Sequence, residues 1–271
     1  MQQKHRCCRK TGSNNCCKIF HYIYPLKIHK VQYSILLISS SAVHGYGYLE
    51  CNKDSIQELT KGITSPVLFV PYAAARSEWD DYTNKVGAFF LKLGITVVGI
   101  HKVPREKIFT DYEVIFVGGG NTFRLLHALQ QQNLMQEIRD AVITGKMKYM
   151  GSSAGTNLAT RCSCTTNDMP IVYPAGGFDA LNLFTYQINP HYLDPDPDSS
   201  HKGETRDQRL AEFHQENDTP VIALREGAYI NINTDFAATK ELYIGGINGA
   251  KIFIKGKAPY EAPMNKKFVL K

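Results

Sequence analysis

The chain has 271 residues, enough to bury a sizeable core, and its 43% hydrophobic and 21% charged content fits a globular protein rather than a disordered or fibrous one. The formal charge of +6 misleads, because residues 1–30 hold seven Lys/Arg and no acid, leaving 24 basic against 25 acidic residues, about −1, for the remainder. So balanced a body implies no nucleic-acid or anionic-membrane partner, and no apolar run approaches the roughly 20 residues needed to span a bilayer.

Residues 1–30 read as a basic, Cys-containing leader, either a disordered extension or upstream sequence carried into the gene model. It carries Cys7, Cys8, Cys16 and Cys17, whose adjacent pairs do not match zinc-ligand spacing. Only Cys51, Cys162 and Cys164 lie beyond it, too few for a disulfide framework and consistent with a reducing compartment such as the cytoplasm. Residues 31–271 are expected to form one catalytic domain.

In chain order, 31–39 (VQYSILLIS) predicts a buried strand, 54–61 a short helix and 67–70 a second strand. Residues 77–93 place Trp79, Tyr82, Val86, Phe89, Phe90 and Leu93 at helical spacing, a face that covers a sheet. Strands follow at 95–100 and 113–117, then helices at 123–131 and 134–143, then a strand at 147–150. Strands alternating with helices predict a three-layer α/β/α domain with a mostly parallel sheet. Later segments predict a strand at 183–189, a helix at 205–215, and short strands at 221–224, 229–232, 242–244 and 251–254.

Such sheets bind ligands beyond the carboxyl ends of their strands, and two Gly-rich exits fall there, at 118–120 and 151–155. The second reads Gly151-Ser152-Ser153-Ala154-Gly155, a G-x-S-x-G between a strand and a helix. A serine on that strained turn points its hydroxyl away from the sheet, and the helix N-terminus favours negative charge nearby. Ser153 is the candidate nucleophile. The pentapeptide alone equally allows a plain turn in which Ser153 caps the helix.

A serine nucleophile needs a base and an orienting acid. His191 follows an apolar strand in Ile188-Asn189-Pro190-His191, and Glu226 follows another in Leu224-Arg225-Glu226-Gly227. Each could be an ordinary strand-end surface residue. The chain order Ser153, His191, Glu226 differs from that of α/β-hydrolases, whose acid precedes the histidine, so another α/β scaffold is indicated. Gly118-Gly119-Gly120 lacks the spacing of phosphate loops but suits backbone donors to a developing oxyanion, at Gly119 and Gly120, with Ala154 beyond the nucleophile. The Asp194, Asp196, Asp198 run fails as a calcium loop, with Ser199 and Thr205 where Gly and Glu belong. No HExxH or Cys/His cluster is present, so neither metal nor cofactor is expected.

Five stretches together resemble the peptidase E family: Val117-Gly118-Gly119-Gly120-Asn121-Thr122-Phe123; Gly151-x-Ser153-Ala154-Gly155-x-Asn157; Thr165-Thr166-Asn167-Asp168-Met169-Pro170-Ile171-Val172; Ile188-Asn189-Pro190-His191; and His201-Lys202-Gly203-Glu204-Thr205-Arg206. These are α-aspartyl dipeptidases, serine peptidases on a fold similar to class I glutamine amidotransferases. The resemblance implies Ser153 as nucleophile after a central strand, His191 as base and Glu226 as third member. It implies dipeptides with an N-terminal aspartate as substrates. Asp168 and Glu204 are then candidate partners of the substrate ammonium, and Arg206 of its side-chain carboxylate. The family commonly has a bulky aromatic before the nucleophile, where this chain has Ser152. Alternatives are a relative acting on other acidic or isoaspartyl-type peptides, similar to cyanophycinases, or an inactive amidotransferase-like binding module.

Overall fold

A computed structural model describes residues 32–166, 168–198, 200, 203–235 and 241–270; the leader of residues 1–30, and Asn167, His201 and Lys202 of the motifs above, lie outside them. Strand β1 (Gln32–Ile38) shows how the layers form. Its successive side chains alternate in direction, Ile35 and Leu37 entering one apolar cluster and Leu36 and Ile38 another. The same alternation splits β2 (Val67–Val70) and β4 (Val114–Val117). A strand apolar on both faces must be covered on both.

One face is covered by α1 (Lys53–Thr60) and α2 (Trp79–Leu91), through Ile56, Leu59, Val86, Phe89 and Phe90. The other is covered by α4 (Thr122–Gln131), α5 (Met135–Ile143) and α6 (Ala154–Leu158), through Leu125, Leu129, Ile138, Val142 and Leu158. Phe69 and Phe116 are wholly buried in this packing, and each such side chain contributes about 1.5–3 kcal/mol. Trp79, at the start of α2, departs from the predicted face: it packs on Tyr72 beyond β2, ring centroids 4.6 Å apart, in the other cluster from Val86, Phe89 and Phe90.

The remaining strands of the large sheet are β3 (Val97–Gly99), β5 (Lys148–Ser152), β8 (Ala228–Asp235), β9 (Glu241–Gly246) and β12 (Lys267–Val269). Among the described residues its order is β12-β9-β8-β1-β5-β4-β2-β3. The run from β1 to β3 is parallel, and β8, β9 and β12 add antiparallel pairs at one edge. Strand β5 sits between β1 and β4, so the turn after it opens at the middle of the sheet.

The tail strands do not all extend that sheet. Strands β6 (Gln187–Asn189), β7 (Val221–Leu224), β10 (Ala250–Phe253) and β11 (Tyr260–Glu261) make a second, four-stranded sheet. Ile188, Ile222, Leu224 and Ile252 join the main core, while Val221, Ala223 and Phe253 pack under α7 (Arg206–Glu216) through Leu210. The predicted strand at 183–189 survives only as β6. The amides of Leu183 and Phe184 both donate to Ala159 O, 2.9 and 3.0 Å, so this backbone closes on the end of α6 instead of a ladder. Short elements not read from sequence are α3 (Arg105–Ile108), β11 and β12. Cys162 and Cys164 are joined as a disulfide across one residue, too small a loop to act as a framework.

Candidate active site

The turn after β5 is forced by crowding. Strand β5 is hydrogen-bonded on both sides, with Ser152 opposite Ile38 and Gly151 opposite Val117. A Cβ on Gly151 would stand 2.5 Å from Gly155 O, and one on Gly155 would stand 2.1 Å from Val117 O. Only glycine fits either place, so helix and strand meet back to back. Ser153 between them has φ 53° and ψ −107°, a conformation costing about 1–3 kcal/mol for a side-chain-bearing residue. Its amide donates to Ile38 O at 3.0 Å, and Thr156 Oγ1 bonds Ile38 O at 2.7 Å and Gly151 O at 3.0 Å, which hold the turn shut.

Ser153 begins α6 but its hydroxyl makes no capping bond. Instead Ser153 Oγ lies 2.8 Å from His191 Nε2, and His191 Nδ1 lies 2.8 Å from Glu226 Oε1. The carboxylate can only accept, so Nδ1 carries the proton and Nε2 offers its lone pair to the hydroxyl. That is the geometry of a nucleophile, base and orienting acid. The neighbouring Ser152 is wholly buried, and its hydroxyl has no partner.

His191 and Glu226 come from the exits of β6 and β7, adjacent parallel strands of the small sheet. His191 adopts φ 54°, and its amide donates to Ser39 Oγ at 2.9 Å. That hydroxyl in turn donates to Leu224 O at 2.9 Å. Ser39, just past β1 and wholly buried, therefore pins the histidine backbone to both sheets. Glu226 is held by its own neighbours. Arg225 forks between Asp194 and Glu261, which lowers the carboxyl pKa of both acids below the usual range, and Asn248 Nδ2 donates to Glu226 O at 2.9 Å.

Removing the hydroxyl in Ser39→Ala leaves the buried His191 amide unpaired, while Leu224 O keeps the Tyr192 amide at 2.9 Å, an expected cost of about 1–3 kcal/mol. It should slow modification of Ser153 by a fluorophosphonate roughly tenfold, while circular dichroism stays unchanged. An unaltered labelling rate would show that His191 keeps its place without Ser39.

Gly119 approaches the nucleophile so closely that a Cβ on it would lie 3.1 Å from Ser153 Cβ. Tyr82 OH donates to Gly119 O at 3.1 Å. In a trans peptide the carbonyl of Gly119 and the N–H of Gly120 point in opposite directions, so fixing one aims the other. Gly120 has φ 130°, and a Cβ there would meet Ala73 O at 2.7 Å. The flanking amides are engaged, Gly118 N on Val70 O and Asn121 N on Ala73 O. Among the described residues those of Gly119, Gly120 and Ala154 find no acceptor. Tyr82 was read only as part of a sheet-covering face, and nothing in its spacing singled it out.

Beside Ser153 and His191 lies a cavity of about 140 Å³ whose walls include Asn157, Thr165, Asp168, Asn189 and Arg206. It is smaller than the several hundred Å³ of drug-sized sites, so it suits one residue rather than a chain. Arg206 opens α7 and is turned inward. Burial, then the like charge of Arg209, pull its guanidinium pKa down, and Asp168 opposes them. Arg206 Nη1 is shielded and without a partner. Asp168 lines the cavity too, but its Oδ2 accepts from Thr122 N at 2.6 Å at the start of α4. Glu204 is not brought in: it is exposed and pairs with Arg209 at 3.4 Å. Among the described residues no three His, Cys, Asp or Glu side chains converge to hold a metal, and no helix is long and apolar enough to cross a membrane.

Residues 35–239 match Peptidase family S51. Among similar proteins, a "Peptidase E" of Streptomyces coelicolor is 46% identical over 230 residues, 84% of this chain and 90% of that one. A "Probable alpha-aspartyl dipeptidase" of Drosophila melanogaster is 46% identical over 222 residues, 81% of this chain and 89% of that protein. A "Peptidase E" of Shigella flexneri is 43% identical and covers 84% and 97%. Among solved structures, a peptidase from an acI-B1 actinobacterium superposes with a TM-score of 0.63 over 89% of this chain and 98% of its own, at 16% identity. A putative peptidase E from Listeria monocytogenes gives 0.58 at 21% identity, covering 80% and 100%. At such identities the two superpositions bear on the fold alone.

Proposed function

The chain belongs to peptidase family S51, and from that premise we propose that this serine-type dipeptidase hydrolyses Asp-Xaa dipeptides through an acyl-enzyme on Ser153. The observation that carries the proposal is the unbroken chain Ser153 Oγ, His191 Nε2, His191 Nδ1, Glu226 Oε1, with both hydrogen bonds at 2.8 Å. Ser153 Oγ attacks the peptide carbonyl while His191 Nε2 takes its proton. Glu226 holds the imidazole in its tautomer and stabilises the imidazolium. The negative charge on the carbonyl oxygen is met by the amides of Gly119 or Gly120 and of Ala154, a type of contact worth about 2.7–4 kcal/mol per donor. His191 then gives its proton to the departing amine, and a water molecule, deprotonated by the same nitrogen, releases aspartate from the serine.

Arg206 is the partner of the aspartyl carboxylate in this reading. A half-buried guanidinium with a free nitrogen attracts a small anion more strongly than a solvated one does. A cytoplasmic location is part of the same proposal. The test is turnover of Asp-Leu beside Glu-Leu, Ala-Leu and β-linked Asp-Leu. Hydrolysis confined to α-linked Asp-Leu supports the reading. Preference for the β-linked peptide would move the enzyme to isoaspartyl substrates, and no cleavage of any of them would leave the binding-module alternative.

A further inference from the structure

Three residues in the wall of the cavity beside the nucleophile each carry a shielded polar atom without a partner among the described residues: Asn157 Oδ1, Asn189 Oδ1 and Arg206 Nη1. Asn157 and Asn189 are 4% and 3% exposed. Asn157 stands one turn along α6 from Ser153, on the same side of the helix. Asn189 ends β6, where its Nδ2 donates to Thr165 O at 2.9 Å. Since Thr165 O can only accept, this bond fixes the amide and leaves Oδ1 as the unused edge. An unpaired buried acceptor is destabilising, so two such oxygens and an unpaired guanidinium nitrogen around one cavity need an explanation.

A ligand that satisfies all three must present several N–H donors to the amide oxygens and an acceptor to the guanidinium. An N-terminal residue carrying a free α-ammonium and a side-chain carboxylate does both. Asp168, the acid in the same wall, already spends one oxygen on the Thr122 amide and faces Arg206 electrostatically. We infer that the amide oxygens of Asn157 and Asn189 hold the substrate's α-ammonium, so that neutral acceptors, rather than Asp168 or Glu204, restrict the enzyme to free N-termini. This rests on the Ser153 acyl-enzyme reading and deepens it. Neutral acceptors suit the position, because a further carboxylate there would compete with the substrate's own carboxylate for Arg206.

The experiment compares Asp-Leu with succinyl-Leu, which has the same acyl group with hydrogen in place of the ammonium. Wild-type enzyme is expected to favour Asp-Leu by on the order of a hundredfold in kcat/KM, the scale of hydrogen bonds to a charged group. Asn157→Leu should reduce that preference at least tenfold by slowing Asp-Leu alone. Asn157→Asp, of the same size and still an acceptor, should hold or raise it, and serves even if the leucine variant fails to fold. Equal slowing of both substrates by Asn157→Leu, or a fall in preference in Asn157→Asp, overturns the assignment. So does a collapse seen only in Asp168→Asn. If wild-type enzyme fails to favour Asp-Leu over Ala-Leu, the aspartyl reading is what has failed. Ala-Leu and propionyl-Leu then form the pair that tests the ammonium site.

Discussion

Ser153→Ala is expected to cut turnover of Asp-Leu by at least about 10⁴-fold, while Ser152→Ala stays within about threefold of wild type. The two hydroxyls are neighbours in sequence, but their surroundings are opposite. Ser153 Oγ is 2.8 Å from His191 Nε2, whereas Ser152 Oγ is wholly buried with no partner and no route to a substrate. Ser152→Ala removes a buried hydroxyl that bonds nothing, so its thermal midpoint should rise or stay level rather than fall. Steady-state kinetics and a melting curve on each variant decide the matter. Equal losses in both would dislodge Ser153 as the nucleophile.

Arg206→Lys should lose on the order of 2–4 kcal/mol of transition-state binding for Asp-Leu, about 30- to 1000-fold in kcat/KM, with Asn-Leu hardly changed. Aspartyl and asparaginyl dipeptides have nearly the same shape, so charge recognition is what separates them. A guanidinium meets a carboxylate with two parallel N–H donors, and an ammonium on a flexible stem does not. The fluorophosphonate rate at Ser153 should be unaltered, because Arg206 takes no part in activating the hydroxyl. Equal slowing of Asp-Leu and Asn-Leu would instead make Arg206 a support of the loop before α7.

The parts of the site that were legible in the sequence share one property, a mark carried within a few consecutive residues. Gly151-x-Ser153-x-Gly155 is a recognisable pattern within five residues, so the turn could be read from it and the Gly-rich exit at 118–120 likewise, although the atoms that crowd Gly155 and Gly120 belong to the distant Val117 and Ala73. The parallel core followed from strand and helix periodicity, and β2 was read to the residue. What was missed is carried by contacts between residues far apart in the chain. Ser39 touches His191 across 152 positions, and Tyr82 touches Gly119 across 37. Neither serine nor tyrosine carries any mark in its own segment that it will be so used. The small sheet escaped notice for a similar reason. Strand periodicity tells which face is apolar but not which partner a short strand will take, and β7 pairs with β6 and β10 rather than joining its sequence neighbour β8. Glu204 sits in a matching motif yet pairs with Arg209 one turn on, because an exposed carboxylate at a helix start takes whatever cation stands nearest.

The nucleophile leaves the large sheet at β5, while its base and acid leave the small sheet at β6 and β7. Catalysis therefore depends on a seam. Besides the Ser153–His191 bond, two hydrogen bonds through Ser39 Oγ cross it beside the histidine, and the chain itself crosses within the three residues between β7 and β8. A slip of one ångström along that seam would lengthen the Ser153–His191 bond beyond use while each sheet kept its own ladders. Under mild denaturant or heat, loss of turnover should thus come before loss of secondary structure. The hydrolysis rate is then a gauge of how firmly the two sheets are docked.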